Sequence, residues 1–283
     1  MHLGSLLTAV GSYLWARASG GRWLVRIEDL DPPREVSGAA GRILRTLEAF
    51  GLEWDGEVAF QSHRTDLYES ALASLANEGI AYECSCSRAE LAMLAPTADG
   101  EPVYPGTCRA GAGRPDRPTS IRFRLADGPS RVSFLDLVQG HFAQDVSTSV
   151  GDFVIRRKDG FFAYQLAVVV DDASQGISQV VRGSDLLDNT PRQILLQRAL
   201  DLPQPDYAHL PLVTEPDGSK LAKQSRSVPI DPSRSGILLF RTLRMLRQHP
   251  PDDLANEDVR TQLRWAIGHW NPERLRSVRS IGA

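Results

Sequence analysis

Apolar and polar positions follow helical and strand-like spacings in turn along the first part of the chain. Residues 6–18 are apolar, contain no proline and end at Gly20, which predicts a helix with a glycine stop. Residues 23–27 have the pattern of a short buried strand, whereas residues 39–50 and 64–77 have the pattern of helices closed by a glycine. This alternation predicts an α/β fold built on a mainly parallel sheet.

The pattern changes further along the chain. Residues 81–118 hold all three cysteines among several prolines and glycines, and helical periodicity fades there, which predicts an insertion with its own internal support. Residues 121–150 alternate apolar and polar side chains as antiparallel strands do, and residues 153–181 return to a buried pattern. Residues 191–200 are helical in pattern, and so is most of residues 226–283.

Composition limits the classes of protein to consider. A chain of 283 residues can bury a substantial core, and 42% hydrophobic with 24% charged residues is typical of a soluble globular protein rather than a disordered one. The chain shows no targeting segment and no apolar run long enough to span a bilayer. We therefore expect a cytoplasmic protein without a membrane partner.

The net charge of −3 excludes a protein that binds polyanions with its whole surface, so any RNA contact must come from a local patch. The C-terminal part offers such a patch in Arg241, Arg244, Arg247, Arg260, Arg264, Arg274, Arg276 and Arg279. These side chains either bind RNA or form solvated helix faces balanced by nearby carboxylates. The second interpretation is favoured, because charge runs are usually solvated faces.

Two segments far apart in the sequence resemble the two halves of the ATP site of class I aminoacyl-tRNA synthetases. Residues 1–5 (Met-His-Leu-Gly-Ser) resemble the tetrapeptide that opens a helix against the phosphates, and residues 218–224 (Gly-Ser-Lys-Leu-Ala-Lys-Gln) resemble the Lys-Met-Ser-Lys-Ser loop. The segments that resemble the glutamate-specific branch lie between them, at residues 22–31, 61–62, 163–172 and 180–183. The resemblance extends to about residue 225.

The resemblance implies a Rossmann-like catalytic core of the α/β class with a zinc-binding insertion. The implied domains are residues 1–80 for the first half of the core, 81–118 for the insertion, 119–225 for the second half with the lysine loop, and 226–283 for a short helical segment. It also implies a strand of the form Arg-Phe-Ala-Pro-Ser-Pro-Thr-Gly before residue 1, which this sequence lacks. We expect a misassigned start codon or a fragment rather than a natural enzyme without that strand.

Activation of an amino acid by ATP requires groups that stabilise negative charge on phosphate. A helix N-terminus with a close-packed glycine offers backbone N–H groups for this purpose, and His2, Gly4 and Ser5 would lie there. By resemblance, Lys220 and Lys223 act on the triphosphate, with Lys223 in the transition state, and Mg²⁺ accompanies ATP. The alternatives are a disordered histidine near a chain end and an ordinary pair of surface lysines.

Arg26 and Glu28 alternate along one predicted strand, so they point to the same face and Glu28 lies at the carboxyl end, where ligands of α/β sheets bind. By resemblance, Glu28 holds the ammonium group of glutamate, and Tyr164 and Arg182 match further substrate positions. A guanidinium can bind a carboxylate through two hydrogen bonds. The alternative for Arg182 is an ion pair with Asp185 at a strand end.

Cys84, Cys86 and Cys108 are grouped in the predicted insertion. Thiolates grouped in this way in a cytosolic chain indicate structural zinc rather than disulfides. The resemblance implies Tyr104 as the fourth ligand, and Glu101 is the alternative if the tyrosine does not bind. The alternative is three unrelated buried thiols.

Longer relatives continue past the lysine loop into helical domains that read the anticodon, whereas this sequence ends soon after it. The chain is therefore similar to a shorter branch of the family. That resemblance implies a monomer that uses ATP and L-glutamate and modifies queuosine in the anticodon stem-loop of tRNA(Asp). The alternatives are a fragment of a longer synthetase that charges tRNA(Glu) and an inactive RNA-binding remnant.

Overall fold

The computed structural model describes residues 1–93, 102–114, 116–214 and 229–282. Three residues singled out by sequence, Lys220, Lys223 and Glu101, lie outside the described residues. No helix within the described ranges is long and apolar enough to cross a membrane.

The helices begin close to where the apolar spacing predicts them. They are α1 (Leu3–Ala18), α2 (Ala39–Ala49), α3 (Thr65–Asn77), α4 (Arg88–Ala92), α5 (Val146–Ser149), α6 (Tyr164–Ser174), α7 (Thr190–Ala199), α8 (Ser235–Met245) and α9 (Val259–His269). The strands are β1 (Arg26–Ile27), β2 (Ala59–Phe60), β3 (Ala81–Cys84), β4 (Ser120–Phe123), β5 (Arg131–Asp136), β6 (Gly140–Asp145), β7 (Val154–Arg156), β8 (Gln179–Gly183), β9 (Asp206–Leu210), β10 (Leu212–Thr214) and β11 (Ser280–Gly282).

A four-stranded sheet in the order β6-β5-β9-β8 organises the centre of the molecule. Strands β8 and β9 are parallel, with Arg182 opposite His209, and β5 also runs parallel to β9. Strand β6 completes this sheet as an antiparallel partner of β5. Strands β3, β4 and β7 form a separate antiparallel sheet that leads into the cysteine segment. The parallel strands place their carboxyl ends, and therefore Arg182 and His209, at one edge.

Helix α1 packs closely against this sheet because it carries a glycine at the contact. A Cβ atom at Gly11 would lie 2.5 Å from Cδ1 of Leu210 on β9, which is closer than two carbon atoms can pack. Leu6 and Leu14 of the same helix are fully buried. They share one apolar core with Leu243 of α8, so the C-terminal helices support the helix that begins at the predicted ATP site.

The α/β class is confirmed, but three expectations need correction. The strand predicted for residues 23–27 is reduced to β1, because within the described ranges only Arg26 and Ile27 pair with a neighbour, β2. Strand pairing is not mainly parallel, since β3, β4 and β7 form a wholly antiparallel sheet and β6 makes the four-stranded sheet mixed. The C-terminal segment ends in β11, which pairs with β10 in parallel, so it is less helical than its pattern suggests.

Candidate functional site

The first turn of α1 is organised by His2. Its Nδ1 accepts a hydrogen bond from the backbone N–H of Ser5 at 3.2 Å, and its Nε2 lies 3.0 Å from the Ser5 hydroxyl. A Cβ atom on Gly4 would lie 3.3 Å from the imidazole, so glycine lets the ring pack against the turn. Burial lowers the pKa of His2, and the positive charge of the chain N-terminus lowers it further. A neutral ring therefore caps a helix end that attracts anions.

Glu28 follows directly after β1, and Arg26 lies on the same face, as the alternation predicts. Nη2 of Arg26 is 3.5 Å from Oε1 of Glu28. Burial raises the pKa of Glu28, and the carboxylate of Asp172 adds to this effect while Arg26 opposes it. The pKa of Glu28 is therefore above its ordinary value, even though 41% of the Glu28 side chain is exposed to solvent.

Arg26 is surrounded by carboxylates of α6 as well as by Glu28. Nη1 of Arg26 donates to Oδ1 of Asp172 at 2.8 Å, and its Nε lies 3.6 Å from Oδ2 of Asp171. Burial raises the pKa of Asp172, although the positive charge of Arg26 opposes this. The guanidinium of Arg26 therefore has three carboxylates of the protein within 3.6 Å, although its Nε makes no hydrogen bond.

Asp171 anchors a buried group of side chains, which we call the Asp171 cluster: Asp171, Arg26, Arg64, Gln61 and Tyr68. Asp171 has no exposed surface. It accepts hydrogen bonds from Arg64 Nε at 2.5 Å, Gln61 Nε2 at 2.8 Å and the Tyr68 hydroxyl at 2.8 Å. The apolar and polar pattern does not predict this cluster. The feature of the sequence that points to it is the carboxylate pair at the end of the apolar run of α6.

Arg182 of β8 has a different environment. Its guanidinium donates to His209 Nε2 at 3.0 Å, the Tyr164 hydroxyl at 3.2 Å, Thr190 Oγ1 at 2.8 Å and Gln193 Oε1 at 2.7 Å. All of these acceptors are neutral, and Arg182 is only 8% exposed. Among the described residues the hydrogen bonds of this buried cation therefore involve no carboxylate.

The side chains predicted for the amino-acid site come together in one region. Arg182 lowers the pKa of Glu28, although burial raises it more strongly. Burial likewise raises the pKa of Tyr164, and the charges of Arg182 and Glu28 act on it in opposite directions. Glu28 and Tyr164 are thus near enough to Arg182 for its charge to act on their pKa values, although the three residues come from three separate segments of the chain.

A cavity of about 1180 Å³ lies between the start of α1 and the segment that carries Glu28. Ser5 lines it at the start of α1, and Glu28 and Asp172 line it on the side of β1 and α6. Residues 179–181 of β8 form another wall. In the described part of the chain β8 is an end strand of its sheet and β1 pairs with β2 alone, so residues of two strands with unpaired edges line this space.

The cysteines converge on the Tyr104 hydroxyl. The Sγ atoms of Cys84, Cys86 and Cys108 all lie within 4.8 Å of one another, and Cys86 and Cys108 are 3.6 Å apart. The Tyr104 oxygen lies 3.3 Å from Cys84 Sγ and 3.9 Å from Cys86 Sγ. Tetrahedral zinc with bonds of about 2.3 Å requires sulfur atoms roughly 3.8 Å apart. The spacing fits a metal ion, and all three thiols are free of disulfides.

The surroundings of the thiols favour a thiolate at one position. Burial acts to raise the pKa of Cys108, but hydrogen bonds from Tyr104 and from backbone N–H groups of Gly113 and Ser85 offset it and lower the pKa to about 6. Burial raises the pKa of Cys86 to about 11. The Arg122 guanidinium lies 3.8 Å from the centre of the Tyr104 ring and steadies the phenol. The site can therefore present a preformed anionic ligand.

Two further buried groups beside Arg182 were missed by the sequence analysis. His209 and Asp136 have 0% and 1% exposed surface, and His209 Nδ1 lies 2.6 Å from Asp136 Oδ2. The sequence gives little indication that these two residues pair, because they are 73 positions apart. Both lie at carboxyl ends of strands in the four-stranded sheet, which is where ligand-directed residues of such sheets occur.

The chain matches the family model for tRNA synthetases class I (E and Q), catalytic domain, over residues 1–247. It is similar to a protein of Ectopseudomonas mendocina (strain ymp) named glutamyl-Q tRNA(Asp) synthetase, with 51% identity over 281 residues that cover 99% of this chain and 92% of that protein. A protein of the same name from Pseudomonas aeruginosa (strain LESB58) is 51% identical over 276 residues, covering 97% of this chain and 91% of its own.

Solved structures share the fold. The crystal structure of glutamate-tRNA synthetase from Elizabethkingia anophelis superposes with a TM-score of 0.80 at 23% identity, over 100% of this chain and 65% of that chain. A glutamate tRNA ligase from Elizabethkingia meningosepticum, in complex with its amino acid, gives a TM-score of 0.78 at 23% identity, over 100% of this chain and 64% of that chain. The chain thus spans less than two thirds of the length of these two proteins.

Proposed function

We propose a function from one established premise: the chain belongs to the family of class I tRNA synthetases for glutamate and glutamine, and it is therefore a ligase. It activates L-glutamate with ATP and transfers the glutamyl group to queuosine at the wobble position of tRNA(Asp), acting as a monomer. The named relatives at 51% identity support this acceptor.

The observation that carries the proposal is the buried guanidinium of Arg182. Burying a cation without a negative partner costs several kcal/mol, and the acceptors that Arg182 meets are neutral. A carboxylate brought by the substrate supplies a negative partner, and the one guanidinium N–H that these four hydrogen bonds leave over, on Nη1, can donate to it. The side-chain carboxylate of glutamate fits this role, while Glu28 binds the ammonium group when it is ionised.

In the activation step, an oxygen of the glutamate α-carboxylate attacks the α-phosphorus of ATP. The bond from this phosphorus to the bridging oxygen breaks, and pyrophosphate leaves. With Nδ1 of His2 accepting from the Ser5 N–H, the neutral ring carries its proton on Nε2 and donates it to the Ser5 hydroxyl, whose own O–H can then donate to phosphate. Lys220 and Lys223 act on the triphosphate in this proposal. Mg²⁺ bound with ATP neutralises part of its charge.

The thiol cluster holds zinc in a structural role, with Cys84, Cys86 and Cys108 as ligands and Tyr104 as the fourth. The converging Sγ and phenol oxygen atoms support this assignment. We expect one zinc per chain by metal analysis, and loss of that zinc in Cys84→Ser. Tyr104→Phe separates the possible fourth ligands, because undiminished zinc affinity in that variant contradicts the tyrosine and directs attention to Glu101.

The first experiment is glutamate-dependent exchange of pyrophosphate into ATP without tRNA. We expect exchange with L-glutamate and none with L-aspartate, whose carboxylate is one methylene shorter and does not reach Arg182 from a site fixed by Glu28. Absence of exchange with L-glutamate contradicts the proposed activation. Exchange that appears only when tRNA(Glu) is added favours a fragment of a longer synthetase.

The second experiment identifies the acceptor. Labelled glutamate is offered with tRNA(Asp) that contains queuosine, with the same tRNA made without queuosine, and with tRNA(Glu). We expect label only on the first of the three. Label at the 3′ end of tRNA(Glu) contradicts the queuosine assignment, although it leaves glutamate activation intact.

A further inference from the structure

Three buried side chains form a line of hydrogen bonds across three adjacent strands. Asp136 lies at the end of β5, His209 lies on β9, and Arg182 lies on β8 directly opposite His209. His209 Nδ1 is 2.6 Å from Asp136 Oδ2, and Arg182 Nε is 3.0 Å from His209 Nε2. The line ends at the Tyr164 hydroxyl, 3.2 Å from Arg182 Nη1.

The direction of these hydrogen bonds is fixed by chemistry. An arginine Nε–H can only donate, so His209 Nε2 must accept, and the ring proton must then reside on Nδ1. The Asp136 carboxylate accepts that proton in a hydrogen bond and so selects this tautomer. Burial and the Arg182 charge lower the pKa of His209, although Asp136 opposes them, which is consistent with a neutral ring.

Asp136 is itself held in place by the backbone. Its Oδ1 accepts from the N–H groups of Val138 at 3.0 Å, Gln139 at 2.7 Å and His209 at 3.1 Å. Its two oxygens therefore have separate tasks, since Oδ1 fixes the carboxylate and Oδ2 faces the imidazole. A substitution can therefore reverse the hydrogen bond to the imidazole while it keeps the hydrogen bonds to the backbone.

We propose that Asp136 and His209 are positioning residues for Arg182. They hold its guanidinium by Nε so that the remaining N–H of Nη1 is presented to the side-chain carboxylate of the amino acid. This inference rests on the proposed function for the identity of the amino acid, but the hydrogen-bond line itself does not depend on activity. Groups of this kind, which orient a ligand-binding side chain through a second hydrogen bond, are commonly worth 10-fold to 100-fold in affinity at metal sites.

Asp136→Asn tests the proposal with little change in shape. The amide oxygen can keep the backbone hydrogen bonds of Oδ1, while the amide NH₂ now faces His209 Nδ1. That donor forces the ring proton onto Nε2, where it opposes Arg182 Nε–H. Asp145→Asn is the matched control, because Asp145 also accepts from backbone N–H groups with one carboxylate oxygen, at the end of β6, and meets no histidine there.

The first measurement is nitrogen-15 NMR of labelled histidines, which reports the tautomer of His209 whether or not the chain is active. His209→Gln identifies the signal. We expect the Nδ1–H tautomer in the original chain and in Asp145→Asn, and the Nε2–H tautomer in Asp136→Asn. An Nε2–H tautomer or a doubly protonated ring in the original chain overturns the proposal.

The second measurement separates positioning from general stability. In the exchange assay, Asp136→Asn should raise the KM for glutamate about 10-fold to 100-fold while the KM for ATP and the melting temperature stay close to those of Asp145→Asn. Equal changes in both KM values overturn the positioning role. If the original chain shows no exchange, the proposed function fails, and the NMR result still decides the hydrogen-bond line.

Discussion

Two arginines on strands of different sheets, the half-buried Arg26 and the buried Arg182, meet opposite surroundings. Arg26 lies beside Asp172 at 2.8 Å, Glu28 at 3.5 Å and Asp171 at 3.6 Å. Arg182 meets the neutral side chains described above. An arginine that is surrounded by the protein's own carboxylates connects parts of the fold. An arginine that donates to neutral acceptors keeps its positive charge available for an anionic ligand.

The Asp171 cluster shows what an arginine surrounded by carboxylates contributes to the fold. Through Asp171, the cluster joins β1, α6 and α3, whose residues are distant in sequence. Removing Arg26 or Arg64 leaves the buried carboxylate of Asp171 with fewer positive partners, which lowers the free energy of unfolding. Removing Arg182 leaves neutral groups behind, which can rearrange their hydrogen bonds among themselves. Stability and ligand binding should therefore respond in opposite ways to substitution of the two arginines.

Arg182→Gln should have the largest effect on activity. Loss of a buried partner for a charged ligand costs about 2–5 kcal/mol, so we expect kcat/KM for glutamate in the exchange assay to fall by about 30-fold or more. The free energy of unfolding should change by less than about 1 kcal/mol, since the variant removes the desolvation cost of a buried charge and the neutral groups left behind can rearrange their hydrogen bonds. Unchanged glutamate kinetics in a folded variant would contradict the role assigned to Arg182.

Arg26→Gln is the reciprocal test. Because it leaves Asp171 and Asp172 with fewer positive partners, we expect a loss of about 3 kcal/mol in the free energy of unfolding, measured with urea. Glutamate binding should suffer only to the extent that Glu28 shifts. The comparison between the two arginines breaks down if Arg26→Gln is as stable as the original chain, or if Arg182→Gln is the less stable variant.

Glu28 connects the two environments and gives the site a pH dependence. Burial and Asp172 raise its pKa above the ordinary value of about 4.3, so its carboxylate takes up a proton at a higher pH than an ordinary glutamate does. An ammonium group binds only the ionised form. The KM for glutamate should therefore rise about 10-fold for each pH unit below that raised pKa, while the KM for ATP stays level.

Glu28→Gln provides the control for this pH profile. Its KM for glutamate should be high at every pH, because no carboxylate remains to titrate. Exchange kinetics between pH 5 and 8 compare the two chains. A profile of the same slope in Glu28→Gln would assign the titration to another group and remove Glu28 from the ammonium site.

How much of this arrangement the sequence predicts depends on the distance between partners. Arg26 and Glu28 are two residues apart, so the strand period alone places them on one face. The thiols are grouped within one insertion, and their chemistry indicates a metal site. Tyr164 and Arg182 required a family resemblance, because no local period relates a helix start to a later strand.

Long-range partners escape the sequence analysis. Asp136 and His209 are 73 residues apart, and Tyr68 and Asp171 are 103 residues apart. Only the order of strands in the sheet brings Asp136, His209 and Arg182 into line. The same reason explains why β11 was missed, since its partner β10 precedes it by a long stretch of chain.

Gly4→Ala should have the smallest effect and tests whether the ATP side is separate from both arginines. The added Cβ would lie 3.3 Å from the His2 ring, so the imidazole must move by a few tenths of an ångström. We expect the KM for ATP to rise a few-fold while the KM for glutamate and the stability stay unchanged. Gly268→Ala in α9 is the matched control, because a Cβ there meets nothing within 4 Å. If Gly4→Ala altered the KM for glutamate as much as that for ATP, the first turn of α1 and the Arg182 site would form one coupled unit. The difference between Arg26 and Arg182 could then not be explained by their immediate neighbours alone.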